Sequence, residues 1–149
     1  MIRISSFILF FGLSLHICQL QAGEFAAIRI NQDQMQWIDT GNGVKFTPVS
    51  GEEKTVGMYV FRVKFPPGYK NEPHYHTDER VVTVLAGTIL VGFGKEFKES
   101  DMQAVSQGGI YTEPKNQPHY VWAKDGEVII QVVGSGNSKR FSVSQEVPK

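Results

Sequence analysis

From residue 55 onward, apolar and polar residues alternate in short runs, which is typical of half-buried β-strands. In Met58–Phe65, the apolar side chains at the odd positions share one face, and the basic side chains at positions 62 and 64 share the other. A second run, residues 81–86, is followed by Gly87 and then by Thr88–Phe93. This arrangement predicts two strands joined as a hairpin through a turn at Gly87.

The remaining apolar runs are equally short, and turns rich in Gly, Pro and Asn separate them. Further strands are predicted at residues 44–49, 110–112, 120–123 and 128–133, the first of them as an edge strand. Residues 23–37 fit a strand or a single helical turn, and residues 94–101 fit a loop or a short helix. The pattern has no long helical period and no βαβ alternation, so it predicts an antiparallel sandwich or barrel.

The N-terminal segment has the features of a secretory signal. Arg3 gives it a positive start, residues 7–15 form an apolar run too short to span a bilayer comfortably, and no acidic residue precedes Glu24. The chain is therefore expected to comprise a signal peptide (1–22), N-terminal strands and turns (23–54) and a barrel with a C-terminal tail (55–149). This places the mature protein in the periplasm or outside the cell, without a stable membrane span after processing. An uncleaved anchor is the alternative, which polar residues near the end of the segment disfavour.

Composition narrows the choice of partners. The 149 residues suffice for one domain, and 41% hydrophobic and 20% charged residues are ordinary for a globular protein. Basic and acidic residues number 15 each, so the chain offers no basic field to attract nucleic acid.

Cys18, the only cysteine, would leave with the signal peptide. No nucleophile and base pair, phosphate loop or paired carboxylates are evident.

Histidines carry the clearest chemical signal in the chain. His74 and His76 stand one residue apart on an extended segment, which puts both imidazoles on one side. Neutral imidazole is the commonest transition-metal ligand, and Glu79 offers a hard oxygen nearby. Two solvated loop histidines are the alternative. His119, at another junction of loop and strand, can join the pair if the two strands are neighbours in a barrel.

The spacing of these residues resembles the first motif of the cupin family. That motif is a glycine, five residues, H-x-H, a glutamate three or four residues on and a glycine six residues later. Gly68, His74, His76 and Gly87 match it.

The second cupin motif is a glycine, five residues, proline, any residue, glycine, two residues, histidine, three residues and asparagine. Gly108, Pro114 and His119 match it, whereas Asn116 replaces the second glycine and Ala123 the final asparagine. The first change is mild because Asn tolerates left-handed backbone conformations. The resemblance covers roughly residues 55–133 and is strongest to small single-domain bacterial cupins.

The resemblance implies an all-β fold, a cupin-type antiparallel double-sheet β-barrel (jelly roll) in a single domain. Its mouth would hold a divalent metal ion, with zinc, iron, manganese and nickel as candidates, on His74, His76, His119 and Glu79. Counted strictly, Arg80 rather than Glu79 occupies the glutamate slot. A β-bulge within residues 81–83 would swing Glu79 back to the metal, and this is favoured because an arginine there would repel the cation. The alternative ligand set is three histidines plus water. The alternative to a metal site is a barrel mouth whose histidines bind an organic ligand directly.

The expected function is an exported metal-binding cupin that acts on an unidentified small organic molecule. The expected ligand contacts are Tyr59, Phe61, Arg80, Tyr111 and Gln131, with packing or ladder roles as alternatives. The metal would serve as a Lewis acid or oxygen-activating centre, as in an oxygenase, isomerase or hydrolase. A non-catalytic cupin that binds or senses a small ligand is the alternative function, and a dimeric stability module is a third. A homodimer would form by exchange of the N-terminal segment between two barrels.

Overall fold

The computed structural model describes residues 27–143, so the expected signal peptide and Cys18 lie outside the described residues. Eleven strands make up about half of the described range. They are β1 (Ile38–Asp39), β2 (Lys45–Ser50), β3 (Met58–Phe65), β4 (Lys70–His76), β5 (Arg80–Ala86), β6 (Thr88–Phe93), β7 (Gln103–Ser106), β8 (Ile110–Glu113), β9 (His119–Trp122), β10 (Val128–Ser135) and β11 (Arg140–Ser142). Two single-turn 3-10 helices lie at Gln32–Gln34 and Glu99–Asp101. Within residues 27–143, no helix has the length and apolar character needed to cross a membrane.

The strands form two antiparallel sheets that face each other. The first sheet has the order β1-β2-β3-β10-β5-β8, and the second has the order β11-β4-β9-β6-β7. This arrangement confirms the predicted all-β double-sheet jelly roll. The expected edge strand at residues 44–49 is β2, which lies inside the first sheet because β1 covers its outer side.

Alternation of side chains places the core between the sheets. In β3, Tyr59 and Phe61 are buried on the predicted inner face, and in β5 Val82 and Val84 are fully buried. Ile89 of β6 contributes from the opposite sheet. Burial of such side chains stabilises the fold by about 1.5–3 kcal/mol each. The interior is therefore apolar except at one end, where buried polar side chains gather.

The predicted hairpin of β5 and β6 is wrong. The two strands belong to different sheets, and β5 pairs with β8 and β10 while β6 pairs with β7 and β9. Gly87 alone separates them and adopts φ +78°, in the left-handed region that favours glycine. One residue is too short for the usual two-residue hairpin loop, so the chain turns a corner from one sheet to the other.

The loop that leads to His119 keeps the predicted geometry. Asn116 has φ +59°, so it adopts the left-handed conformation expected at the position of the second motif glycine. Its backbone N–H donates a hydrogen bond of 2.8 Å to the carbonyl of His76. The loop is thus tied directly to the strand that carries the histidine pair.

Candidate metal centre

Three histidines converge at the polar end of the barrel. His74 and His76 end β4, and His119 begins β9, the neighbouring strand in the second sheet. His74 lies directly opposite His119 in the antiparallel register. The three side chains each offer a ring nitrogen within 4.8 Å of the others, and all three residues are buried. The structure therefore brings together the three histidines that the motifs predict.

Backbone carbonyls orient two of these rings. The Nδ1 atom of His74 lies 2.8 Å from the carbonyl oxygen of Glu72, and Nδ1 of His119 lies 3.0 Å from that of Gln117. A carbonyl can only accept, so Nδ1 carries the proton in both rings and Nε2 keeps its lone pair. Nε2 of His119 is buried without a hydrogen-bond partner among the described residues. A buried nitrogen lone pair of this kind fits a metal ligand, and the carbonyl contact is the usual outer support for one.

Burial keeps the histidine pair neutral. Desolvation, followed by the influence of His119, lowers the pKa of His74 to about 3. Desolvation and the nearby Arg80 guanidinium lower the pKa of His76 to about 2. Both imidazoles are therefore unprotonated at neutral pH, which is the form that binds metal ions.

Glu79 does not join this cluster. It is exposed just before β5, while Arg80, the first residue of the strand, is only 6% exposed. The predicted bulge within residues 81–83 is also wrong, because β5 pairs regularly with β8 from Arg80 to Thr83. Its register shift against β10 comes later, beyond Val84. Without a bulge, the alternation of faces points Arg80 inward and Glu79 outward.

Two carboxylates offset the positive charge of Arg80, which was expected to exclude an arginine from the neighbourhood of a metal ion. Its guanidinium donates to Glu53 at 2.9 Å, to the Ser138 hydroxyl at 2.7 Å and to Asp78 at 3.3 Å. Asp78 is 6% exposed and also accepts hydrogen bonds from the Ser138 and Tyr59 hydroxyls. Arg80 can therefore lie beside the histidines because Glu53 and Asp78 offset its positive charge.

A different carboxylate faces the histidines. Glu113, the last residue of β8, is 6% exposed, and its oxygens lie 3.5 Å from Nε2 of His119 and 3.9 Å from Nε2 of His76. From the sequence, Glu113 was a polar residue that could reach the site, but a surface or ladder role was expected for it and it was not among the predicted metal ligands. The available signal was its place beside Pro114 in the second motif, at the end of an alternating strand.

A cavity of about 400 Å³ opens beside the cluster. Three of the predicted ligand contacts, Phe61, Arg80 and Tyr111, line it. Burial raises the pKa of the Tyr111 phenol, so that group stays neutral, and its hydroxyl has no partner among the described residues. Apolar side chains such as Val121 and Val132 also line the cavity, so its wall combines apolar and polar groups.

Two predicted contacts lie elsewhere. Tyr59 donates its hydroxyl to Asp78 and does not line the cavity. Gln131 lies between two residues of β10 that do line it, so the alternation of the strand turns its side chain to the other face. There it accepts a hydrogen bond of 3.1 Å from Arg62.

Residues 61–134 match the family model described as Cupin domain. Among curated proteins, the chain is similar to Germin-like protein subfamily 2 member 1 of Arabidopsis thaliana, with 33% identity over 86 residues. That alignment covers 57% of this chain and 39% of the relative, so the chain spans less than half of the relative's length.

Solved structures share the fold at lower sequence identity. KdgF from Halomonas sp. aligns with a TM-score of 0.59 and 22% identity over 70% of this chain and 91% of that one. A recombinant oxalate oxidase in complex with glycolate aligns with a TM-score of 0.55 and 24% identity, over 70% of this chain and 57% of the other. The family match, the two antiparallel sheets and the histidine cluster together place residues 61–134 in the cupin superfamily.

Proposed function

We propose that His74, His76 and His119 bind one divalent metal ion, with zinc, iron, manganese and nickel as candidates. The observation that carries this proposal is the buried cluster of three ring nitrogens within 4.8 Å, one of them an unpartnered Nε2. Unpaired polar atoms in an interior are costly, whereas a metal ion uses each lone pair. The depressed pKa values of the histidine pair add support, since no proton must be displaced at neutral pH.

The same site acts on a small organic molecule held in the adjacent cavity. A volume of about 400 Å³ suits a compound of modest size, and apolar walls such as Phe61 would contact its body. Arg140 also lines the cavity, so small carboxylic acids are the first compounds to test. A bound metal ion supplies Lewis acidity or an oxygen-activating centre next to such a ligand. The protein is exported in this proposal, because residues 1–22 have the features of a secretory signal.

The direct test is metal analysis of the full chain expressed in an exporting host. Wild-type protein is expected to carry close to one equivalent of a divalent metal, and the double variant H74A/H119A is expected to carry none. E79Q is the matched control, since Glu79 is exposed and should leave metal content unchanged. Equal metal content in wild type and the double variant would contradict the proposal.

A measurement of turnover distinguishes a metal-dependent enzyme from a protein that only binds or senses the ligand. The metal-loaded protein is incubated with a panel of small carboxylic acids, and both binding heat and product formation are measured. Product formation that requires the metal supports an enzyme. Saturable binding without any product favours a binding or sensing cupin.

A further inference from the structure

Glu113 is a buried acidic residue on an edge strand, which is unusual. It ends β8, the outermost strand of the first sheet, yet the residue is only 6% exposed. In the antiparallel register, Glu113 lies directly opposite Arg80 of β5. Directly opposed residues project to the same face, so Glu113 shares the inward side of the strand pair with Arg80.

The distances from this carboxylate match those between ligands of one ion. Its two oxygens lie 3.5 Å from Nε2 of His119 and 3.9 Å from Nε2 of His76. Zinc bonds to nitrogen and oxygen are about 2.0–2.2 Å long, so neighbouring ligand atoms of a tetrahedral site lie roughly 3–4 Å apart. Glu113 therefore occupies ligand spacing with respect to two of the three histidines.

Glu113 is also uncommitted to other partners. Its nearest contact with Arg80 is 4.0 Å, which is longer than a hydrogen bond. The guanidinium of Arg80 instead makes its close contacts with Glu53, Asp78 and Ser138, and its Nη1 lies 3.3 Å from Nε2 of His76. Among residues 27–143, the nearest charged or imidazole nitrogens to its carboxylate are those of His119 at 3.5 Å, His76 at 3.9 Å and Arg80 at 4.0 Å. A buried carboxylate without close donors is costly, and a cation would offset that cost.

Charge balance points the same way. Glu53 and Asp78 offset the charge of Arg80, so the two positive charges of a divalent ion held by three neutral imidazoles would still need a negative partner. A negative ligand reduces this excess inside a poorly solvated site. Glu79 cannot supply it because its side chain is exposed.

We propose that Glu113 is the fourth protein ligand of the metal. In this chain, the carboxylate that the first cupin motif would provide from β5 comes instead from the paired position on β8. Arg80 occupies the position of the glutamate in the first cupin motif. This inference rests on the proposed metal site, and it concerns which side chain completes that site.

The test is titration of chelator-treated protein with Zn²⁺ and with Co²⁺ at neutral pH. Loss of an outer partner typically weakens metal binding 10–100-fold, so loss of a true ligand in E113Q is expected to weaken Zn²⁺ binding by more than about 100-fold. The visible spectrum of bound Co²⁺, which reports the ligand set, should change as well. E79Q is the matched control and should stay within about threefold of wild type with the same spectrum. The metal-free melting temperature of each variant checks that it folds.

The outcomes separate this inference from the proposed function. If H74A loses Zn²⁺ binding while E113Q keeps wild-type affinity and spectrum, the role of Glu113 is overturned and the histidine site stands. If the wild type binds no metal, both proposals fail. A zinc-loaded crystal structure of the wild type decides the point without any variant. A Glu113 oxygen at about 2.0–2.2 Å from the ion supports the proposal, and a water between them overturns it.

Discussion

Replacing Arg80 with methionine tests whether this arginine compensates buried negative charge. The Arg80 and Asp78 side chains are each 5% exposed and in contact, whereas the Glu53 side chain is 37% exposed. The exposed partner contributes little to stability because water solvates it in either case. The main consequence of R80M is therefore that Asp78 stays buried without its cation.

The size of the loss follows from that geometry. Breaking a buried ion pair by removing one partner costs about 3–5 kcal/mol. Asp78 keeps two donors, the hydroxyls of Tyr59 and Ser138, so the lower end of the range, about 3 kcal/mol, is expected. With a urea m-value of about 2 kcal/mol/M, the unfolding midpoint of R80M should fall by about 1.5 M.

Urea unfolding of metal-free protein at neutral pH measures this loss. E79Q, which alters the exposed neighbour, should stay within about 0.5 kcal/mol of wild type. The double variant R80M/D78N should lose less than R80M alone, because a neutral amide replaces the orphaned charge. A loss below about 1 kcal/mol in R80M, or a larger loss in the double variant, would refute the reasoning.

Three further predictions concern the cluster and the core. In metal-free folded protein, the pKa values of His74 and His76 are about 3 and about 2, below the pKa of histidine in the unfolded chain. The unfolded state therefore binds more protons, and the free energy of unfolding falls as the pH drops from about 6.5 toward 4. H76Q should reduce that slope by about 1.4 kcal/mol per pH unit in urea titrations, and an unchanged slope would contradict the assignment. Free Zn²⁺ at 100 times its dissociation constant should stabilise the fold by about 2.7 kcal/mol in thermal melts, and H119A should abolish this gain. G92A should lower stability by about 2 kcal/mol in urea, because its methyl group would overlap the ring of the fully buried Tyr120; wild-type stability would show that the ring can move.

The fold was largely predictable because its signals are local. The alternation in Met58–Phe65 gave a strand with the right bounds and inner face, and Thr88–Phe93 likewise matched a strand. Which strands pair is a long-range matter, so the supposed hairpin around Gly87 was assigned to one sheet instead of two. The short strand Arg140–Ser142 was missed because its three residues gain stability only by pairing with the strand that carries the histidine pair.

The same division holds for the candidate site. His74 and His76 share one side because strand side chains alternate, and the motif spacing added His119; these are properties of the linear sequence. The position of Glu113, rather than Glu79, beside the histidines is not a property of the linear sequence. It depends on which strand lies beside β5 and in what register.

The sequence by itself therefore determined an all-β chain, a double-sheet barrel and three histidines that converge. The tertiary structure decided that the barrel turns a corner at Gly87, that Arg80 is buried among carboxylates, and that Glu113 faces the histidines. The physical reason is that periodicity fixes the face on which a side chain lies, whereas its neighbours across the sheet are fixed by pairing between distant segments. The charge compensation of Arg80 depends in addition on loop residues, Glu53 and Ser138, that the fold brings to the same end of the barrel.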